Sequence, residues 1–352
     1  MFQGNDLSFD GNEPSQDDFP DPEDDMIKDG FWPLLRVRIC SVAIVVAVCL
    51  LGLLVFSYLG QYSFYAELVS NFRLQVLVGL VIAGVAIGVL GGLQRWLVWL
   101  GFGWVLVLLG AGWSIFPEPT RGARASQMTN TVRLMTFNIL GSNETPQRVV
   151  EVITENRPDA VVIIEYSSEW TQYLQPLHVD YPYRLEQPRW HGFGIAVFSK
   201  FPITDSSVRQ LAADRTDSPM LIAMMDLGSS GVLRLAAVHL LAPMQPERMS
   251  IRNQQMKEIE GLLPTDGVPT VLVGDFNCVP WSPFMQELME GTGLHDSREG
   301  WGYQGSWPTS FWPMLIPIDQ ALVSGDVNVV DRQVISASTG SDHLPILLEI
   351  AL

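Results

Sequence analysis

The segment Gly340-Ser341-Asp342-His343-Leu344-Pro345 sets an acid beside an imidazole on a turn, directly before the apolar run Ile346-Leu347-Leu348. Such a pair reads as part of a metal-assisted phosphodiesterase site, where carboxylates hold a cation and an imidazole meets phosphate charge. Polar residues recur wherever other apolar runs stop. Asn138 follows Val132-Arg133-Leu134-Met135-Thr136-Phe137, and Glu165 follows Val161-Val162-Ile163-Ile164. His239 ends Leu235-Ala236-Ala237-Val238. Asp275 and Asn277 follow Thr270-Val271-Leu272-Val273-Gly274, and Asp319 precedes Gln320 to Val323. A charged group abutting an apolar strand is costly unless it is paired or binds a metal. Recurrence at strand ends predicts that these ends converge on one site.

The elements that must position these residues are short. Strands are predicted at Val132–Phe137, Ala160–Ile164, Ile195–Phe198, Met220–Leu227, Val232–His239, Thr270–Val273, Gln320–Val323 and Ile346–Ile350. Helical patterns cover Gln147–Asn156 and Pro246–Leu263. Strands with interspersed helices predict an α/β fold of two packed sheets flanked by helices.

Met135-Thr136-Phe137-Asn138, Ile164-Glu165, Val273-Gly274-Asp275-Phe276-Asn277, Pro317-Ile318-Asp319 and Gly340-Ser341-Asp342-His343-Leu344-Pro345 resemble, in order, the motifs of the endonuclease/exonuclease/phosphatase superfamily. The resemblance covers residues 131–352 and implies a four-layer α/β sandwich and hydrolysis of phosphate esters. Pro280-Trp281-Ser282-Pro283 is similar to bacterial membrane-attached members. The resemblance implies a divalent cation, Mg²⁺ with Mn²⁺ as the alternative. It makes Glu165 a metal ligand, Asn138 an orienting residue for metal or phosphate, and Asp342 a group near the metal. It gives Asp275 the attacking water, with Asn277 holding Asp275 or phosphate. His343 would stabilise phosphate charge, Asp319 would fix its tautomer, and His239 would protonate the leaving oxygen. His178, His191 and His295 match no motif, although His191 could line the mouth. Cys278 has no basic neighbour in sequence to make it a nucleophile.

The N-terminal third differs in texture. Residues 1–33 open with a tail holding ten acids and one lysine within its first 30 residues, a composition expected to stay disordered. Residues 34–116 are expected to form three transmembrane helices, Leu34–Leu59, Leu74–Leu93 and Trp96–Phe116, each close to the roughly 20 residues a bilayer requires. Residues 117–130 read as a linker. Arg36, Arg38 and Arg95 favour a cytoplasmic N-terminus and hence an external, periplasmic catalytic domain, whereas Arg73, Arg121 and Arg124 pull the other way.

The expected function is a membrane-anchored Mg²⁺-dependent phosphodiesterase, a nuclease by first choice. The alternative is a phospholipid or sphingolipid headgroup phosphodiesterase or a phosphatase. Residues 121–352 hold 16 basic and 26 acidic residues, a net charge of −10, which opposes a long nucleic-acid footprint. The aromatic loop 301–317, with Trp301, Trp307, Phe311 and Trp312, could stack on a base, dip toward lipid or simply pack. A non-catalytic membrane receptor is the third reading, opposed by the complete set of polar residues.

Overall fold

The structure, a computed structural model, describes residues 31–91, 101, 103, 115, 130–190, 192–213 and 215–352. The expected tail, third span and linker lie almost wholly outside the described residues. Helix α1 (Trp32–Ser57), the short helix α2 (Phe64–Ser70) and helix α3 (Arg73–Gly91) come first. α1 and α3 are long and apolar enough to cross a membrane. They pack through Cys40, Ala47 and Leu54 against Val76, Leu80, Ala83 and Ile87. Arg36 Nε donates to the Leu90 carbonyl at 2.7 Å, satisfying a group that the helix end leaves open. The outward faces stay bare: Val42, Val45, Val81, Ile82 and Val85 are each more than half exposed.

The described residues after them carry twelve strands. They are β1 (Val132–Asn138), β2 (Ala160–Ile164), β3 (Tyr183–Gln187), β4 (Ile195–Ser199), β5 (Ile203–Leu211) and β6 (Ser218–Asp226). β7 (Val232–His239), β8 (Thr270–Asp275), β9 (His295–Asp296), β10 (Asp319–Val323), β11 (Asn328–Val334) and β12 (Ile346–Ala351) follow. They form two six-stranded mixed sheets, β11-β12-β1-β2-β4-β3 and β5-β6-β7-β8-β10-β9. Helices α4 (Pro146–Asn156) and α5 (Ser168–Tyr173) cover the first sheet, through Val149, Ile153 and Trp170. Helices α6 (Pro246–Leu262) and α7 (Pro283–Thr292) cover the second, through Met256, Ile259, Met285 and Leu288. The expected four-layer sandwich is the observed fold. Strands β3, β5, β9 and β11, absent from the sequence-based expectation, are the four sheet edges.

Side chains alternate faces along a strand. Leu134 of β1, Leu235 and Ala237 of β7, Val271 and Val273 of β8, and Ala321 and Val323 of β10 fill the core between the sheets. Asn138, His239, Asp275 and Asp319 share their parity, so they fall on the inner face at the strand ends. Register then aligns the ends: His239 pairs with Asp275 across β7 and β8, and Asp319 with Asp275 across β10 and β8. Asn138 pairs with Ile164, the residue before Glu165.

Gly274 makes the close pairing of β7 and β8 possible. Its φ is 150°, and a Cβ there would lie 1.9 Å from the Val238 carbonyl oxygen. Gly274→Ala is expected to lower stability by about 3 kcal/mol, measured as a drop in the thermal unfolding midpoint of the detergent-solubilised protein.

Candidate active site

The strand ends open into a cleft of ≈ 740 Å³ lined by Glu165, His239, Asp275, Asn277, Trp307 and His343. Leu68, Asn71 and Phe72, from the segment between the two apolar helices, form part of its wall. A second cleft, of ≈ 560 Å³ beside α7, is lined by His295 and Trp281 but holds none of the residues given a catalytic or metal role above.

Asp275 is the hub. It is 2% exposed, and its Oδ1 accepts from the Asn277 backbone N–H at 2.8 Å. Its Oδ2 accepts from Asn138 Nδ2 at 3.2 Å and lies 3.6 Å from His239 Nε2 and 3.7 Å from His343 Nε2. Asn138 Nδ2 also donates to Glu165 Oε1 at 3.2 Å, so one amide bridges two carboxylates. Asn138 Oδ1 accepts from the Leu140 N–H at 3.1 Å. The expected ligand atom of Asn138 is thus engaged with backbone, and its amide N–H groups face the acids. Glu165, at φ 65°, turns off the end of β2, and its Oε2 accepts from the Gly141 N–H at 2.8 Å.

His343 Nδ1 donates to Asp319 Oδ2 at 2.8 Å, and Ser306 Oγ donates to the same oxygen at 2.6 Å. His239 Nδ1 meets the Gly192 carbonyl at 2.8 Å. A carbonyl only accepts, so Nδ1 carries the proton and Nε2 faces Asp275. Asn277, at φ 48°, donates through Nδ2 to the Leu240 carbonyl at 3.0 Å. Asp342 is half-buried and does not line the cleft; its Oδ2 accepts from Trp307 Nε1 at 2.9 Å.

Charges placed this close shift one another. Burial pushes the Asp275 carboxyl up to about 6, and the Asp319 charge adds to the rise against the pull of His343 and His239. Burial alone would favour a neutral His343, but Asp319, Asp275 and Asp342 outweigh it and raise the imidazole to about 10. Cys278 is fully buried and its thiol is pushed up to about 12 by burial, so it is no nucleophile at neutral pH.

The sequence matches the endonuclease/exonuclease/phosphatase family over residues 135–343. The chain belongs to this family. It is a hydrolase of phosphate esters, of the phosphodiesterase, nuclease and phosphatase type. No curated protein matches it. Solved structures share the fold. A Bacteroides thetaiotaomicron endonuclease/exonuclease/phosphatase family protein aligns at 15% identity and TM-score 0.55, over 64% of this chain and 99% of that one. The human Nocturnin catalytic domain with bound sulfate anion aligns at 19% and 0.54, over 64% and 95%. D. rerio TDP2 complexed with single-strand DNA product aligns at 16% and 0.52, over 64% and 100%.

Family members depend on a divalent metal, and the donor set of this cleft fits one. Atoms of Asp275, Asp319 and His343 lie within 4.8 Å of one another. Part of that closeness is the Asp319–His343 hydrogen bond, which already uses Nδ1. The carboxylate oxygens of Glu165 and Asp275, bridged by a single Asn138 amide, are the donors a hard cation prefers.

The histidines that match no motif fall elsewhere or outside the described residues. His178 packs on the Phe198 ring with centroids 5.9 Å apart, and His295 lies on β9; neither lines the cleft. His191 lies outside the described residues. Sequence reasoning missed Leu68, Asn71, Phe72, Phe193 and Arg248 of the cleft wall, for which no local motif exists. It also missed Ser306, thirteen residues before Asp319 and inside the aromatic loop.

Asp319→Asn removes the main charge that holds the His343 proton. The imidazole titration, read by NMR on the metal-free protein, is expected to move down by about one to three units.

Proposed function

We propose that this chain is a membrane-anchored, Mg²⁺-dependent phosphodiesterase whose catalytic groups are Asp275, Asn277, His343, Asp319 and His239, with Glu165 as the main metal ligand. One observation carries the proposal: Asp275 faces Asn138, His239 and His343 at once, with Glu165 across the same Asn138 amide. Asp275 takes the proton of the attacking water. Asn277 holds Asp275 Oδ1 through its backbone N–H. His343, kept protonated by Asp319, donates from Nε2 to a non-bridging phosphate oxygen as charge develops there. His239, its Nδ1–H held by the Gly192 carbonyl, acts in its imidazolium form: Nε2 donates a proton to the leaving oxygen, and the proton that Asp275 takes from water restores it across the 3.6 Å between Asp275 Oδ2 and Nε2. Asn138 keeps Glu165 and Asp275 apart and aimed. Asp342 acts at a distance, as a negative charge supporting the His343 proton. A divalent cation bound between Glu165 and Asp275 would supply neutralisation of phosphate charge.

Two features support the membrane anchor: the length of α1 and α3, and the apolar side chains they leave exposed. Soluble monomers rarely expose patches of that extent. Arg36 lies at the end of the hairpin where it meets Leu90, whereas Ser57 and Arg73 lie at the end that touches the catalytic region through the Trp281 carbonyl. With Arg36 and Arg38 on the cytoplasmic side, the catalytic region stands outside.

The substrate we infer is a phosphodiester joined to an apolar group, such as the headgroup phosphodiester of a phospholipid or sphingolipid. Leu68, Phe72, Phe193, Met244, Ile316 and Ile318 line the cleft, and Arg248 is its only Lys or Arg among the described residues. The expected nuclease activity is the second reading, favoured by Trp190, which is 89% exposed at the mouth and offers a base a stacking face.

The test uses full-length protein in detergent micelles with bis(p-nitrophenyl) phosphate. Hydrolysis is expected with Mg²⁺ and not with EDTA. Asp275→Asn and His343→Gln should each lower kcat by on the order of 10²–10⁴-fold. Unchanged rates in both variants would sink the residue assignment. Parallel incubation with phospholipid mixed micelles and with plasmid DNA separates the two substrate readings, and cleavage of DNA alone would select the nuclease.

A further inference from the structure

The segment between the two apolar helices touches the catalytic region through a buried ion pair. Glu67 of α2 and Arg252 of α6 are both fully buried, and Arg252 Nη2 lies 3.2 Å from Glu67 Oε1. Ser282 Oγ donates to the same oxygen at 2.6 Å. Trp281 Nε1 donates to the Ser70 carbonyl at 2.7 Å, beside them.

Arg252 also reaches the active site. Its Nη1 donates to the Asn277 carbonyl at 3.1 Å, while Nη2 and Nε hold Asn253 Oδ1 at 2.9 and 3.1 Å. Asn277 sits at φ 48°, a left-handed conformation uncommon for residues with a side chain. Three bonds hold it there: its carbonyl to Arg252, its side chain to Leu240 and its N–H to Asp275 Oδ1. A relay of direct contacts therefore runs from Glu67 through Arg252 and Asn277 to Asp275.

We propose that Glu67, outside the catalytic sequence, is a positioning residue of the active site: it fixes the Arg252 guanidinium, which fixes the Asn277 peptide that aims Asp275. The kinetic part of this inference rests on the phosphodiesterase reading above. A guanidinium with a fixed fork of donors can serve Glu67, Asn253 and Asn277 together, and a lysine ammonium cannot match that geometry. A purely adhesive contact would instead predict effects on stability alone.

The experiment uses full-length protein in detergent micelles, with bis(p-nitrophenyl) phosphate and Mg²⁺. Removing one partner leaves a buried charge and risks misfolding, whereas neutralising both at similar volume is often tolerated. The main variant is therefore the double substitution Glu67→Gln with Arg252→Met. Its kcat is expected to fall on the order of 10- to 100-fold with KM within about twofold, the signature of misaimed catalytic groups. Arg252→Lys, which keeps the charge opposite Glu67, is expected to lower kcat as well. Hydrogen–deuterium exchange supplies a readout independent of turnover. The peptide carrying Asn277 should exchange about tenfold faster in the double variant, with β1 protection retained. Parent-like kcat together with parent-like exchange at Asn277 would overturn the proposal. If the parent fails to hydrolyse the ester, the phosphodiesterase reading falls, and the exchange result alone decides whether the Glu67–Arg252 pair holds Asn277.

Discussion

Burying the Asp275 carboxylate between two apolar sheets, with Asp319 paired directly across the strand ladder, is the costly step in this fold. The groups around it compensate. Asn138 Nδ2 and the Asn277 backbone N–H each donate to it, and Asn277 is itself anchored through its side chain to the Leu240 carbonyl. His343 places a cation against both acids, which is why its proton is held to about 10. The cost shows in the Asp275 carboxyl itself, which burial first and the Asp319 charge second raise to about 6. A site so loaded with carboxylate favours a divalent cation, so the arrangement that makes folding costly also supplies hard oxygen donors.

Much of this fold was legible because hydrophobic burial writes itself into sequence. Strands such as Ala160–Ile164 and Thr270–Asp275 are buried at every position and read as unbroken or nearly unbroken apolar runs. The four edge strands did not. β5 runs Ile-Thr-Asp-Ser-Ser-Val-Arg-Gln-Leu with mostly exposed or half-exposed side chains, and β3 and β11 are as polar. An edge strand faces solvent along one side and carries charge as protection against unwanted pairing, so it lacks the pattern that marks a central strand. β9 is two residues long and has no period to detect.

The site was legible for a related reason. Its polar residues end buried strands, and a polar residue after an apolar run stands out. Strand parity does the rest, since Asn138, His239, Asp275 and Asp319 each continue the inward-facing positions of their strands. What sequence could not supply was contact between distant segments. Trp307 reaches Asp342 across 35 positions, and Gly192 reaches His239 across 47. Glu67 meets Arg252 across 185 positions, with no motif at either end. Asn138 illustrates a subtler gap: its type and place were readable, but only geometry reveals that its amide nitrogen, rather than its oxygen, faces the acids.

The Glu67–Arg252 pair is hard to explain as adhesion. Ile115, Val279, Trp281, Ile316 and Ile318 already form an apolar cluster joined by Phe72, Leu74 and Leu77, and apolar burial docks helices without charge. Glu67 Oε2 has no hydrogen-bond partner among the described residues, and Gly60 gives it room, since a Cβ there would lie 2.7 Å away. Two apolar residues of similar volume would hold the hairpin at least as well. What they would lack is direction. A guanidinium clamped by Glu67 and Asn253 has a single orientation, and its remaining donor fixes the Asn277 carbonyl. The desolvated pair thus exchanges stability for angular control over the Asn277 peptide, and it ties that control to a segment between two apolar helices that forms part of the cleft wall.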